Sequence, residues 1–241
     1  MALLEVERKF AILPSLLARF KSNQGAPPFV SLEYLGRKKI HDVYFDIRVF
    51  KSLDGSSTVK MEDVLAKNGI WVRSRNGIWG AKQRVPDDKT AAAPDAQHGH
   101  EKGGEESKYL RTIFNEIACP QDIQDLVRRY IPSSLSLSYP AVLDCTNNFG
   151  LERVADFTTT RDTYLADDRF RIMLDEMCFG HRVGEVEIEV PAEQGAEAQL
   201  EIDRFMERYR WFFLASEGGD GKGAKVKGKL TAYFEKFPAK L

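Results

Sequence analysis

The chain has 241 residues, and its 35 basic and 36 acidic side chains leave a formal net charge of −1. A duplex-binding domain would carry a basic excess, because phosphate contacts dominate its affinity, and an acidic solvating tail would show the opposite imbalance. With 43% hydrophobic and 11% aromatic content the chain can bury a core, which excludes a disordered polymer, and its length suits one domain, 1–241, with insertions.

The opening run Met1-Ala2-Leu3-Leu4-Glu5 reaches an acid without an apolar stretch, and Trp211–Ala215 is far shorter than the roughly 20 residues of a membrane span. Three widely spaced cysteines with no CxxC pair fit a reducing compartment. A soluble cytoplasmic protein is expected. The first strand, Leu3–Ile12, puts Glu5, Glu7 and Lys9 on one parity and Leu4, Val6 and Phe10 on the other. Alternate side chains of a strand share a face and recur about every 6.6 Å, whereas a helix would scatter them. Pro14 opens a helix to Ser22, and a short strand follows at Ile40–Phe45. Strands at Gly69–Asn76 and Ile78–Val85 meet at Asn76-Gly77, a strong hairpin signal, and present Trp71, Arg73, Arg75, Lys82 and Arg84 at alternate positions.

From Pro86 to Ser107 the chain lacks Val, Ile, Leu, Phe, Tyr and Trp. Such a stretch cannot offset its ordering entropy, so a mobile insertion is expected there, and its His98 and His100 are read as loop residues rather than a metal site. A helix is expected at Gln121–Tyr130. Strands follow at Leu143–Phe149, Arg153–Tyr164 (with Arg161), Phe170–Phe179 (with Arg171, Met173 and Asp175) and Arg182–Val190 (with Glu185, Glu187 and Glu189). A long helix from about Ala196 to Ser216 carries Ala198, Ile202, Phe205, Tyr209 and Phe212 on one stripe, a core-packing face. After a Gly-rich turn at Gly218–Gly223, Lys225, Lys227 and Lys229 alternate into a last strand ending at Phe234. The class is α+β with a mainly antiparallel sheet or barrel.

Any one charged strand face would commonly be solvated. Six such faces, with Trp71, Met173 and Tyr233 on the charged parity, point instead to a barrel with a charged interior. A lining of one sign would be prohibitively repulsive, but mixed acids and bases are tolerable and can be completed by a ligand. Rows of Arg and Lys suit an oligophosphate, and carboxylates suit the Mg²⁺ or Mn²⁺ that bridges phosphate oxygens. Phosphoryl transfer to water needs no protein nucleophile, and none stands out.

Glu5-Val6-Glu7-Arg8-Lys9 resembles the ExExK strand of the CYTH superfamily, the triphosphate tunnel metalloenzymes. The resemblance continues through Tyr44-Phe45-Asp46, Trp71-Val72-Arg73-Ser74-Arg75, Trp79 with Lys82, Arg161, Leu174-Asp175, Gly184-Glu185-Val186-Glu187 and Lys229-Leu230 with Tyr233. Its Trp-x-Arg-x-Arg form is most similar to the thiamine-triphosphatase branch. The resemblance implies an eight-stranded antiparallel β-barrel forming a triphosphate tunnel, with helices packed outside. It implies that Arg73, Arg75, Lys82, Arg161 and Lys229 grip the triphosphate, with Lys9 assisting. Glu5, Glu7, Asp175, Glu185 and Glu187 would hold Mg²⁺, or Mn²⁺, that activates the attacking water. Glu7, Lys9, Arg73 and Lys82 are the residues on which turnover would chiefly depend. Trp71 is either a platform for the thiamine rings, as a flat cation needs a π face, or a structural barrel aromatic. Met173 stands where related members often have an acid. The expected activity is hydrolysis of thiamine triphosphate by a monomer with no nucleic-acid or membrane partner. The alternatives are an inorganic or nucleoside triphosphatase, an adenylate cyclase, and a non-catalytic polyphosphate binder.

Overall fold

The computed structural model describes residues 3–52, 59–85, 110–135, 139–214 and 226–238. The Pro86–Ser107 insertion with His98 and His100, the Gly218–Gly223 turn and Lys225 lie outside the described residues. In chain order the elements are β1 (Leu3–Phe10), α1 (Pro14–Lys21), β2 (Leu32–Asp46), β3 (Arg48–Ser52), β4 (Val59–Asp63), α2 (Val64–Lys67), β5 (Ile70–Arg75) and β6 (Ile78–Arg84). They continue with β7 (Leu110–Ile117), α3 (Pro120–Tyr130), β8 (Glu152–Ala166), β9 (Phe170–Met177), β10 (Arg182–Pro191), α4 (Gly195–Arg208), α5 (Arg210–Phe213) and α6 (Lys229–Lys236). Hydrogen-bonded neighbours follow the order β1-β10-β9-β8-β2-β5-β6-β7, and the order closes on itself, while β3 and β4 pair separately. The expected antiparallel ring of eight strands with helices outside it is therefore present. No helix among the described residues is long and apolar enough to cross a membrane.

Two compact units divide the chain. The first comprises Met1–Ile40, Lys102–Phe114 and Thr158–Phe237, and the second His41–Glu101, Asn115–Phe157 and Pro238–Leu241. In the first, β1, β10, β9 and β8 are antiparallel neighbours, and α4 packs on β1 and β10. The stripe read from the sequence is the core face: Ala198, Ile202, Phe205, Tyr209 and Phe212 are all buried. Phe10 meets Phe212 and Phe213 edge-on, with centroids 5.5 and 5.0 Å away, and Phe205 stacks on Phe170 at 3.8 Å. Each buried ring of this kind contributes roughly 1.5–3 kcal/mol. Gly184 makes room for Phe10, since a Cβ there would lie 2.2 Å from its Cζ. The same covered face holds a cation, Arg8, which is fully buried. Its Nε donates to Asp203 Oδ1 at 2.8 Å and its Nη1 to the Glu7 carbonyl at 3.1 Å, and Arg111 Nη2 stands 3.2 Å from Asp203 Oδ2. Along β2, residues 33–35 and 37–39 are exposed, and Gly36 has φ +111°.

In the second unit, β5 and β6 form the expected hairpin, with Asn76 and Gly77 both left-handed at φ 51° and 83°. Its apolar face (Ile70, Val72, Ala81) packs with Ile123, Leu126 and Val127 of α3 into one core.

Three expectations are corrected. Leu143–Phe149 is not a strand, because Cys145–Gly150 forms 3₁₀ turns. Asp144 accepts from the Thr146 N–H at 2.8 Å, and Asn148, Phe149 and Gly150 are all left-handed, so local hydrogen bonds displace the extended chain. Lys229–Lys236 is helical rather than the end of a strand that began at Lys225. The long C-terminal helix breaks at Tyr209, φ −105° and ψ 33°, whose hydroxyl donates to Asp167 Oδ2 at 2.7 Å. Strands β3, β4 and β7 lie outside the stretches read as strands, and β2 is much longer than Ile40–Phe45.

Candidate active site

The register of the first unit follows from its pleat. Glu7 faces Glu187 and Lys9 faces Glu185 across β1–β10, Glu185 faces Met173 across β10–β9, and Asp175 faces Arg161 across β9–β8. Directly opposed residues share a face. Four strands therefore bring Glu5, Glu7, Lys9, Arg161, Asp175, Glu185 and Glu187 onto one surface. Lys229 joins them from the first turn of α6, so its place among the acids comes from a helix, not from a strand register.

The cluster has two parts. In the first, Glu5, Glu7 and Glu187 each place a carboxylate oxygen within 4.8 Å of the others. Glu5 and Glu7 are buried, and Glu187 is half-buried. Lys9 Nζ bonds Glu7 Oε1 and lies 3.6 Å from Glu185 Oε1, while Thr112 Oγ1 donates to Glu7 Oε1 at 2.7 Å. Burial alone would lower the Lys9 pKa, but the charges of Glu7 and Glu185 outweigh it and hold the ammonium above its ordinary range.

The second part is a knot of ion pairs. Arg161 grips Asp175 through Nε and Nη2, both at 2.7 Å, reaches Glu185 Oε2 at 3.0 Å, and donates through Nη1 to Met173 Sδ at 2.7 Å. Lys229 Nζ lies 2.6 Å from Asp175 Oδ2 and 3.0 Å from Glu185 Oε1. Burial opposes the Arg161 charge, but its hydrogen bonds to Asp175 prevail, and its pKa is raised. Met173 leaves Glu185 and Asp175 as the acids Arg161 contacts here.

The remaining predicted residues belong to the second unit. Arg75 forks onto Asp42, its cross-strand partner, at 2.8 and 3.1 Å. Arg73 Nη2 and Lys82 Nζ stand 3.7 and 3.3 Å from Glu116 Oε1. Burial opposes the Arg73 charge, while Tyr44 and Asp42 outweigh it and raise its pKa. Trp71 faces Lys82 in register, and the Arg84 guanidinium carbon lies 5.4 Å from the Trp71 ring centroid. Thr112, Glu116, Asp42 and Arg84 escaped the candidate set drawn from sequence. Asp42 and Tyr44 alternate in a stretch read as a strand and were legible there. Thr112 and Glu116 lie on β7, a strand that the sequence reading left out.

Can the acids hold a divalent metal? Neighbouring oxygens around an octahedral Mg²⁺ lie about 2.9 Å apart and opposite ones about 4.1 Å, so Glu5, Glu7 and Glu187 would draw together by up to about 2 Å to share the ion. The donor set is all oxygen, as a hard cation requires. The five predicted acids of this unit exceed its three predicted bases, Lys9, Arg161 and Lys229. The residues fit the ion.

No family model matches the chain, and no curated protein matches it. Among solved structures it is similar to a protein of Pyrococcus horikoshii, with 16% identity, 96% of this chain and 99% of that one covered, and a TM-score of 0.49. It is also similar to a Bacillus halodurans protein described as a candidate adenylate cyclase (15%, 97% and 100%, TM-score 0.44). A third, from Hippeastrum, is described as a candidate adenylyl cyclase with a dominant triphosphatase activity (13%, 97% and 96%, TM-score 0.42).

Proposed function

We propose that the chain is a CYTH-type, Mg²⁺-dependent triphosphate hydrolase that converts thiamine triphosphate to the diphosphate and phosphate. The observation that carries this reading is the convergence of Glu5, Glu7 and Glu187 within 4.8 Å beside an interleaved set of cations. A site for polyanions alone would gain nothing from buried acids, because they oppose the ligand and cost several kcal/mol each to desolvate. A site for a polyanion together with its metal needs both.

The protein's part is positioning and charge. Lys9 stays protonated across the physiological range, so it acts as a fixed positive charge toward phosphoryl oxygens rather than as a proton donor. Arg161 and Lys229, held by Asp175 and Glu185, would add fixed positive charge beside the phosphoryl oxygens. Glu5, Glu7 and Glu187 would hold the metal, whose contribution when bound is to neutralise phosphoryl oxygens and lower the pKa of a water. By the resemblance, Arg73, Arg75 and Lys82 would contact phosphoryl oxygens and Trp71 a ring.

Phosphate release from thiamine triphosphate, inorganic triphosphate and ATP, each with Mg²⁺ and with chelator, tests the reading. Turnover that stops with chelator is expected. Metal-independent binding without turnover of any of the three would overturn it. Inorganic triphosphate is the second reading, because among the predicted site residues only Trp71 addresses an organic group and its ring already carries Arg84.

A further inference from the structure

The cation row of the β5–β6 hairpin ends in a pair that phosphate recognition leaves unexplained. Trp71 faces Lys82, and Arg84 follows two residues on, along the same face of β6. The Arg84 N–H donates to the Gly69 carbonyl at 2.7 Å, which fixes its backbone. Its side chain is exposed, with the guanidinium carbon 5.4 Å from the centroid of the half-buried Trp71 ring. An aromatic face attracts a cation through its quadrupole, and this face already has one.

Building on the triphosphatase reading, we propose that Arg84 is a specificity-determining residue that competes with a cationic ligand ring for the face of Trp71. A triphosphate bearing a flat cation can use that face only by sending Arg84 into solvent. It forfeits the existing contact and meets a like charge while doing so. Inorganic triphosphate has no ring to place, leaves the Trp71–Arg84 contact intact, and gains from the extra positive charge beside Lys82. Arg84 is exposed and sits on the last residue of β6. The residue across the ladder, Gly69, also contributes no side chain, and a Cβ there would lie 3.1 Å from Arg84 Cβ. Arg84 thus biases the site away from cationic organic triphosphates and toward inorganic triphosphate.

The test is the ratio of kcat/KM for thiamine triphosphate to kcat/KM for inorganic triphosphate. It is measured on one preparation each of wild type, Arg84→Lys, Arg84→Ala and Arg84→Glu. A ratio on one preparation cancels the active fraction, so partial misfolding of a variant does not blur it. The ratio is expected to rise about two- to fivefold in Arg84→Ala, the range an exposed cation–π contact supplies, mainly through KM for the cationic substrate. Arg84→Glu should raise it further, and Arg84→Lys should fall between wild type and Arg84→Ala. A ratio unchanged or lowered in both Arg84→Ala and Arg84→Glu overturns the inference while the hydrolase stands. If wild type turns over no triphosphate, the hydrolase reading fails instead. Thiamine quenching of Trp71 fluorescence, in a Trp79→Phe, Trp211→Phe background, then decides the matter. Tighter binding on Arg84→Ala supports the competition, and unchanged binding overturns it.

Discussion

At the scale of single residues, the acids of the first unit divide by what they lose when neutralised. Glu7 accepts from Thr112 and Lys9 while it converges with Glu5 and Glu187. Glu7→Gln keeps the shape and one acceptor oxygen but removes a charge. Its kcat is expected to fall by about a hundredfold or more, the scale seen when a group that stabilises transition-state charge is removed, with an unchanged circular dichroism spectrum. Arg161 differs because it satisfies two buried carboxylates, Asp175 and Glu185. Arg161→Met leaves them to Lys229, and stripping one partner from a buried pair costs about 3–5 kcal/mol. A fall of that size in unfolding free energy by urea titration is expected, besides any loss of activity. A change below about 1 kcal/mol would mean that solvent already shields the knot.

At the scale of elements, the strands were legible wherever one parity was apolar and the other charged, as in β1, β5, β9 and β10. They were illegible where both parities were mixed. On β7 one parity holds Thr112, Phe114 and Glu116, and the other Arg111, Ile113 and Ile117, so no period of two emerges. Alternating lysines before α6 imitated a strand, although Leu230, Phe234 and Phe237 recur at helical spacing. The buried Arg8 broke the pattern of β1, and only α4, which carries Asp203, explains its place. Packing between β1, β10 and α5 supplies a direct test. Gly184→Ala drives a Cβ into Phe10, which Phe212 and Phe213 hold in place. Overpacking of this kind costs about 1–3 kcal/mol, so thermal unfolding should occur several degrees lower.

At the scale of the molecule, the ring of eight strands was an expectation of the resemblance, since periodicity left out β7, whereas the alternate placing of the acids could be read strand by strand from the sequence. The cations could not be apportioned from it. Which of them sit beside acids depends on register and on which strands neighbour each other, and neither is written in local periodicity. Mg²⁺ should stabilise the fold if Glu5, Glu7 and Glu187 bind it, because a ligand held only by the native state adds about 2.7 kcal/mol at a hundred times its dissociation constant. For a chain of this size that corresponds to a rise of roughly 5–10 °C in Tm, which Glu5→Gln should abolish and matched NaCl should not reproduce. The knot of Arg161, Asp175, Lys229 and Glu185 also constrains how such a sequence can diverge. Losing any one member leaves this largely buried set one charge out of balance, which disfavours drift by single substitutions. Descendants abandon the knot most readily through compensated double changes. Homologues without an acid at 175 should therefore also lack the base at 161, leaving a covariation signature that would outlast the activity itself.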